Sequence, residues 1–156
     1  MPASMPKDPK TRILVICTGN SCRSQIAEGL FRHHGGEELD IHSAGTHPTG
    51  FIHPLAVETM FERGIDITKQ RSKSLLKYDG ESFDYFITVC DDAYQECPVF
   101  PGARKQLHWS TEDPSFAPGT DEDRKKAFRE TIGLLEARIK KLITELRKTK
   151  TTERLD

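Results

Sequence analysis

The apolar run Ile13-Leu14-Val15-Ile16 ends directly in Cys17-Thr18-Gly19-Asn20-Ser21-Cys22-Arg23-Ser24, and helical periodicity begins at once beyond it. That order commits the chain to a strand–loop–helix unit, with the loop at the C-terminal edge of a parallel sheet. Gly19 and Asn20 tolerate the left-handed backbone angles of a tight turn. Successive backbone N–H groups from Thr18 to Arg23 can then point inward at an oxyanion, and the helix adds its positive end. The Arg23 guanidinium offers a planar fork for two oxygens of the same anion. This field favours thiolate over thiol at Cys17, and Ser24 can give that sulfur a hydrogen bond. A cysteine near an arginine is by itself more often an inert core thiol. Here Gly, Asn, Arg and Ser all stand where an anion loop needs them, so the segment reads as nucleophile and binding site together.

The remaining pattern extends the same architecture. Helical spacing from Ser24 to His34 stops at Gly35-Gly36, and Leu39 to Ala44 reads as a strand. A loop from Thr46 to His53 leads to a helix over Pro54–Arg63, with Ala56, Val57, Met60 and Phe61 inward. Ser72–Lys77 reads as a short helix, Phe83–Val89 as a strand rich in aromatic and β-branched residues, and Arg104–His108 as the last strand. Thr120 can cap a final helix whose first turn holds Asp121, Glu122 and Asp123. Along it Phe128, Ile132, Leu135, Ile139, Leu142 and Leu146 form a stripe suited to packing on a sheet. Strands alternating with helices predict one open parallel sheet of about four strands with helices on both faces. We read residues 1–11 as a disordered arm, 12–149 as a single domain and 150–156 as a flexible tail.

Composition narrows the functional classes. A net charge of −1 on 156 residues gives no global basic field for nucleic acid. No apolar run nears the roughly 18 residues of a membrane span, and residues 1–12 lack the apolar middle of a signal peptide. Four cysteines in such a chain point to chemistry rather than a structural disulfide framework. The expectation is a cytoplasmic protein, with no metal and no cofactor called for.

Cys90 closes the strand Phe83–Val89, so it too reaches the C-terminal edge of the sheet. Asp91–Glu96 reads as a short helix ended by Cys97-Pro98. Two helical turns would set the two Cα atoms about 10 Å apart, beyond the roughly 7 Å a disulfide spans. Oxidation would therefore unwind the helix, which makes the pair a candidate redox switch. Packed, inert thiols are the alternative. Zinc is disfavoured, since no close Cys-x-x-Cys pair is present.

Several segments together resemble the thioredoxin-coupled arsenate reductases, which share the fold of the low-molecular-weight protein tyrosine phosphatases. These are the stretch from Cys17 to Glu28, Ser43-Ala44-Gly45, Gly64-Ile65-Asp66-Ile67, Cys90 with Cys97-Pro98, and His108-Trp109 followed by Asp113-Pro114. The likeness runs from about Arg12 into the final helix, and the anion loop alone would suit either group. Spaced Cys90 and Cys97 favour the reductases, and Ser115-Phe116 lacks the tyrosine typical of the phosphatases. The resemblance implies a three-thiol relay on arsenate: Cys17 attacks, Cys90 and then Cys97 follow, Asp113 supplies a proton, and thioredoxin restores the thiols of a monomer. Some of these relatives hold potassium with oxygens matching Asn20, Glu28 and Ser43. Lys73 stands where they carry an aspartate, which implies that an ammonium replaces the ion here. A phosphatase using Cys17, Arg23 and Asp113 is the nearest rival, and a non-enzymatic oxyanion- or thiol-sensing module is the rival from another class.

Overall fold

The computed structural model describes residues 9–155, with side chains described to residue 150. Most of the segment read as an N-terminal arm, residues 1–8, lies outside that range. Four strands, β1 (Thr11–Cys17), β2 (Leu39–Gly45), β3 (Phe83–Thr88) and β4 (Ala103–His108), alternate with four helices. The helices are α1 (Arg23–Gly35), α2 (Pro54–Glu62), α3 (Asp91–Glu96) and α4 (Asp121–Leu155). The sheet runs β2-β1-β3-β4 and every pairing is parallel.

This order places the site. The chain leaves β1 for β2 on one side and later returns to β3 on the other, so the loop after β1 sits where the strand order reverses. In open α/β sheets that crevice is where ligands bind. Ile13, Leu14, Val15 and Ile16 have no exposed surface. A strand covered on both faces reads as a continuous apolar run, which is why β1 shows no alternation. Helices α1, α2 and α4 pack against one another, while α3 packs on β1 and β3. At the sheet edge, β4 exposes Arg104 and Lys105, charges that discourage pairing with another chain.

The α4 stripe is buried from Phe128 to Leu142, with Ile143 beside it and Leu146 partly covered. Strand β1 begins at Thr11, inside the range read as arm, and α4 continues past residue 149 to Leu155. Phe61 is a correction: it is 68% exposed, and Thr59 turns inward with Ala56 and Met60 instead. Inward positions on α2 fall at i, i+3 and i+4 from Ala56, which leaves Phe61 on the outer face. The expected helix over Ser72–Lys77 is a single 3-10 turn at Leu75–Tyr78, and another such turn at Pro114–Phe116 had no periodic signal.

One contact ties the sheet to the loop. A Cβ on Gly45 would stand 2.5 Å from the Thr18 carbonyl oxygen and 3.0 Å from the Asn20 backbone nitrogen. Backbone cannot step aside as a side chain can, so Gly45→Ala should cost about 1–3 kcal/mol in urea denaturation. The same variant should bind oxyanions more weakly; unchanged stability and binding would show the contact to be soft.

Candidate active site

Every carbonyl of the loop after β1 is taken from outside. The Cys17, Thr18, Gly19 and Ser21 oxygens accept from the backbone N–H groups of Thr46, His47, Thr49 and His53 at 3.3, 2.9, 3.0 and 2.9 Å. The Asn20 oxygen accepts from Gln25 Nε2 at 3.0 Å, and the Cys22 oxygen from the Ile26 N–H at 2.9 Å. With its acceptors so engaged, the loop offers its N–H donors to an anion. Asn20 is the only non-glycine residue with positive φ among those described, at 47°. Gly19 needs no such angle; its missing side chain admits Thr49, whose methyl would lie 3.1 Å from a Cβ.

A chain of buried hydrogen bonds orients the nucleophile. Asn20 Oδ1 accepts from Gln25 Nε2 at 3.0 Å and from the Lys73 backbone N–H at 2.7 Å. The amide must therefore turn its Nδ2 donors to Ser24 Oγ at 2.8 Å and Ser43 Oγ at 3.0 Å. Ser24 Oγ already accepts from Asn20, so its own proton is free for Cys17 Sγ, 2.8 Å away. Ser43 donates in turn to Glu28 Oε1 at 2.6 Å. The structure thus brings together Cys17 and Ser24 as the sequence implied, and adds Ser43 and Glu28 behind them.

Arg23 lies on the opposite rim. Its Nη1 donates to the Thr111 carbonyl at 2.8 Å, and its Nη2 is 3.5 Å from Asp113 Oδ2. Asp113 Oδ1 accepts from the Ser115 N–H and hydroxyl at 2.9 and 2.6 Å, so Oδ2 is the oxygen left facing the site. Cys22 is buried behind the loop. Burial first, and then the charge of Asp113, pushes its thiol up to about 12, which disfavours its thiolate.

Cys90 stands 3.3 Å from the Thr18 hydroxyl, and its sulfur accepts the Ala93 N–H at 3.4 Å as the cap of α3. Cys97, at the other end of α3, is half-buried and turns its thiol to the Val99 carbonyl at 3.5 Å. All four cysteines are free.

Residues 12–152 match the model of the low molecular weight phosphotyrosine protein phosphatase family. The chain belongs to that family. Within it, the chain is 43% identical over 133 residues to an arsenate reductase of Shouchella clausii, covering 85% of this chain and 94% of the relative. An arsenate reductase solved in its oxidized state superposes with a TM-score of 0.75 at 27% identity, covering 86% of this chain and 98% of the other. A thioredoxin-dependent arsenate reductase of Corynebacterium glutamicum gives 0.71 at 33% identity, over 92% of this chain and 65% of that one.

One feature of this family member, the place of His53, was not legible as part of the site. His53 caps α2 by accepting the Leu55 N–H at its Nδ1, 3.1 Å away, while its backbone holds Ser21. Burial lowers the His53 ring below the usual histidine range against the charge of Asp113, which keeps Nδ1 an acceptor. The His53-Pro54 dipeptide, a cap followed by proline, was the available signal. The cation position is one the resemblance had singled out. Lys73 Nζ lies 3.5 Å from both Glu28 Oε1 and Ser43 Oγ and donates to the Arg71 carbonyl at 2.7 Å. Burial lowers its pKa and Glu28 opposes that shift. An ammonium already meets these oxygens, so the residues do not fit a potassium ion. Reaction rates should be equal in potassium and sodium salts at matched ionic strength; clear activation by potassium would contradict this.

Proposed function

We propose that the protein is an arsenate reductase working through three thiols, a cytoplasmic monomer recycled by thioredoxin. The observation that carries the relay is the 3.3 Å contact between Thr18, next to Cys17, and the buried Cys90 thiol. It keeps a second sulfur at the rim of the anion loop, where a phosphatase needs only water. The named relatives support the substrate.

In this reading arsenate sits on the N–H groups of Thr18 to Arg23 with the Arg23 fork across two oxygens. Cys17 Sγ attacks arsenic, and an oxygen leaves as water with a proton from Asp113 Oδ2. Arg23 keeps Asp113 beside that oxygen. Cys90 Sγ then attacks Cys17 Sγ; the sulfur–arsenic pair stays on arsenic, which falls from As(V) to As(III) and departs as arsenite. The two electrons it gained are those lost in forming the Cys17–Cys90 disulfide. Cys97 next attacks Cys90, freeing Cys17 and moving the disulfide to the half-buried end of α3, where thioredoxin can exchange with it. Burial pushes the Cys97 thiol up, which suits a group that waits until the helix has opened.

Arsenate-dependent NADPH oxidation with thioredoxin and thioredoxin reductase tests the proposal. Turnover should fall to background in Cys17→Ser, Cys90→Ser and Cys97→Ser, and about 100-fold or more in Asp113→Asn. If Cys90→Ser and Cys97→Ser keep full activity, and p-nitrophenyl phosphate is hydrolysed rapidly, the protein is a phosphatase and the relay is wrong.

A further inference from the structure

One ring touches two residues of the first turn of α3 at once. His108, the last residue of β4, puts Nε2 2.8 Å from Asp91 Oδ1 and Nδ1 2.6 Å from Thr88 Oγ1. The Tyr94 ring stacks on its face, centroids 4.3 Å apart and planes within 15°. Hydrogen bonds from Ser110 and from His108 hold the Asp91 carboxyl below the usual range, so the acceptor is charged and Nε2 carries the proton. Asp91 and Tyr94 are three residues apart. Such a pair lies side by side only on a helix; stretched out, the Cα atoms separate to about 10 Å. The ring can therefore touch both only while the turn is wound.

The two thiols that flank this helix need the opposite. A bond between Cys90 and Cys97 requires Cα atoms within about 7 Å, against about 10 Å along two helical turns. Forming it unwinds α3 and costs the ring Asp91, Tyr94 or both. At the far end, Glu96 pairs with His47 at 2.9 Å, but His47 is 68% exposed and such a pair contributes little. The purchase on α3 is at His108, whose side chain is mostly covered and braced by Thr88.

We propose that His108 is a positioning residue that sets the redox poise of the Cys90–Cys97 pair. Its joint contact with Asp91 and Tyr94 exists only in the dithiol form, so it favours the wound helix and makes the disulfide easier to reduce. A disulfide opposed in this way passes readily to an external dithiol and returns Cys90 to its place beside Thr18. The inference rests on the relay proposed above.

The test is an equilibrium, not turnover. The full chain is incubated with graded ratios of oxidised to reduced dithiothreitol, alkylated, and the Cys90–Cys97 peptide quantified by mass spectrometry. Each event joins the two sulfurs, releases two protons and passes two electrons to oxidised dithiothreitol. His108→Phe, which keeps a ring against Tyr94 but loses both hydrogen bonds, should hold the disulfide in buffer about tenfold more reducing, a shift of about 30 mV. His108→Gln keeps a donor within reach of Asp91 and should shift by less than about threefold. Asp91→Ala should shift as His108→Phe does, and adding His108→Phe to it should change little. Midpoints within twofold of the unaltered chain in both His108→Phe and Asp91→Ala would overturn the inference, even if urea stability fell. That result would leave the relay standing, whereas a Cys90–Cys97 disulfide absent at every ratio would overturn both.

Discussion

The site depends on the outward turn of the loop carbonyls after β1. Each oxygen from Cys17 to Cys22 has a donor, four of them backbone N–H groups of the single segment from Thr46 to His53. An unpaired buried carbonyl is costly, so these bonds decide which way every peptide of the loop faces. Gly45, at the start of that segment, lies so close to Thr18 that a methyl group would break the arrangement. The anion site is in this sense made by β2 and the Thr46–His53 segment as much as by the loop that lends the residues.

A buried hydrogen-bond network centred on Asn20 explains how Cys17 is held. Asn20 passes one side of its amide to the Lys73 backbone and the other to Ser24 and Ser43, and Ser24 is left facing sulfur. Lys73 fills the position behind Glu28 and Ser43 with its own ammonium. Such networks are stabilising only when fully satisfied, and here each member has its partners. Burial then grades the thiols: Cys17 and Cys90 are 2% exposed, while Cys97 is half-buried at the outer end of α3. The proposed relay would carry the disulfide from the two buried thiols to the more exposed one.

Much of this was legible because backbone demands leave local marks. The run Ile13–Ile16, the Gly19-Asn20 turn, and the proline after Cys97 located the C-terminal end of β1, the loop and the end of α3 to within a residue. The α3 span and its flanking cysteines were readable for the same reason. What was not readable depended on contacts between distant positions. Nothing near His53 announces that its backbone reaches Ser21, nothing near His108 announces Asp91, and nothing near Gly19 says that Thr49 needs its missing side chain. Phe61 was misplaced because hydrophobicity was read without phase, and the turn at Pro114–Phe116 because it is too short to have one. Family likeness supplied the roles of Asp113 and Lys73; geometry then supplied the atoms, Oδ2 facing Arg23 and Nζ facing Glu28.

The central claim is that this chain carries the electrons for arsenate reduction on its own sulfurs. A single-turnover experiment tests it most directly: fully reduced protein is mixed with excess arsenate and no thioredoxin, arsenite is counted, and disulfides are mapped by peptide mass. The account predicts about one arsenite per chain, with one Cys90–Cys97 disulfide and a free Cys17. Arsenite released without any new disulfide, or no arsenite at all from protein whose thiols are intact, would contradict it.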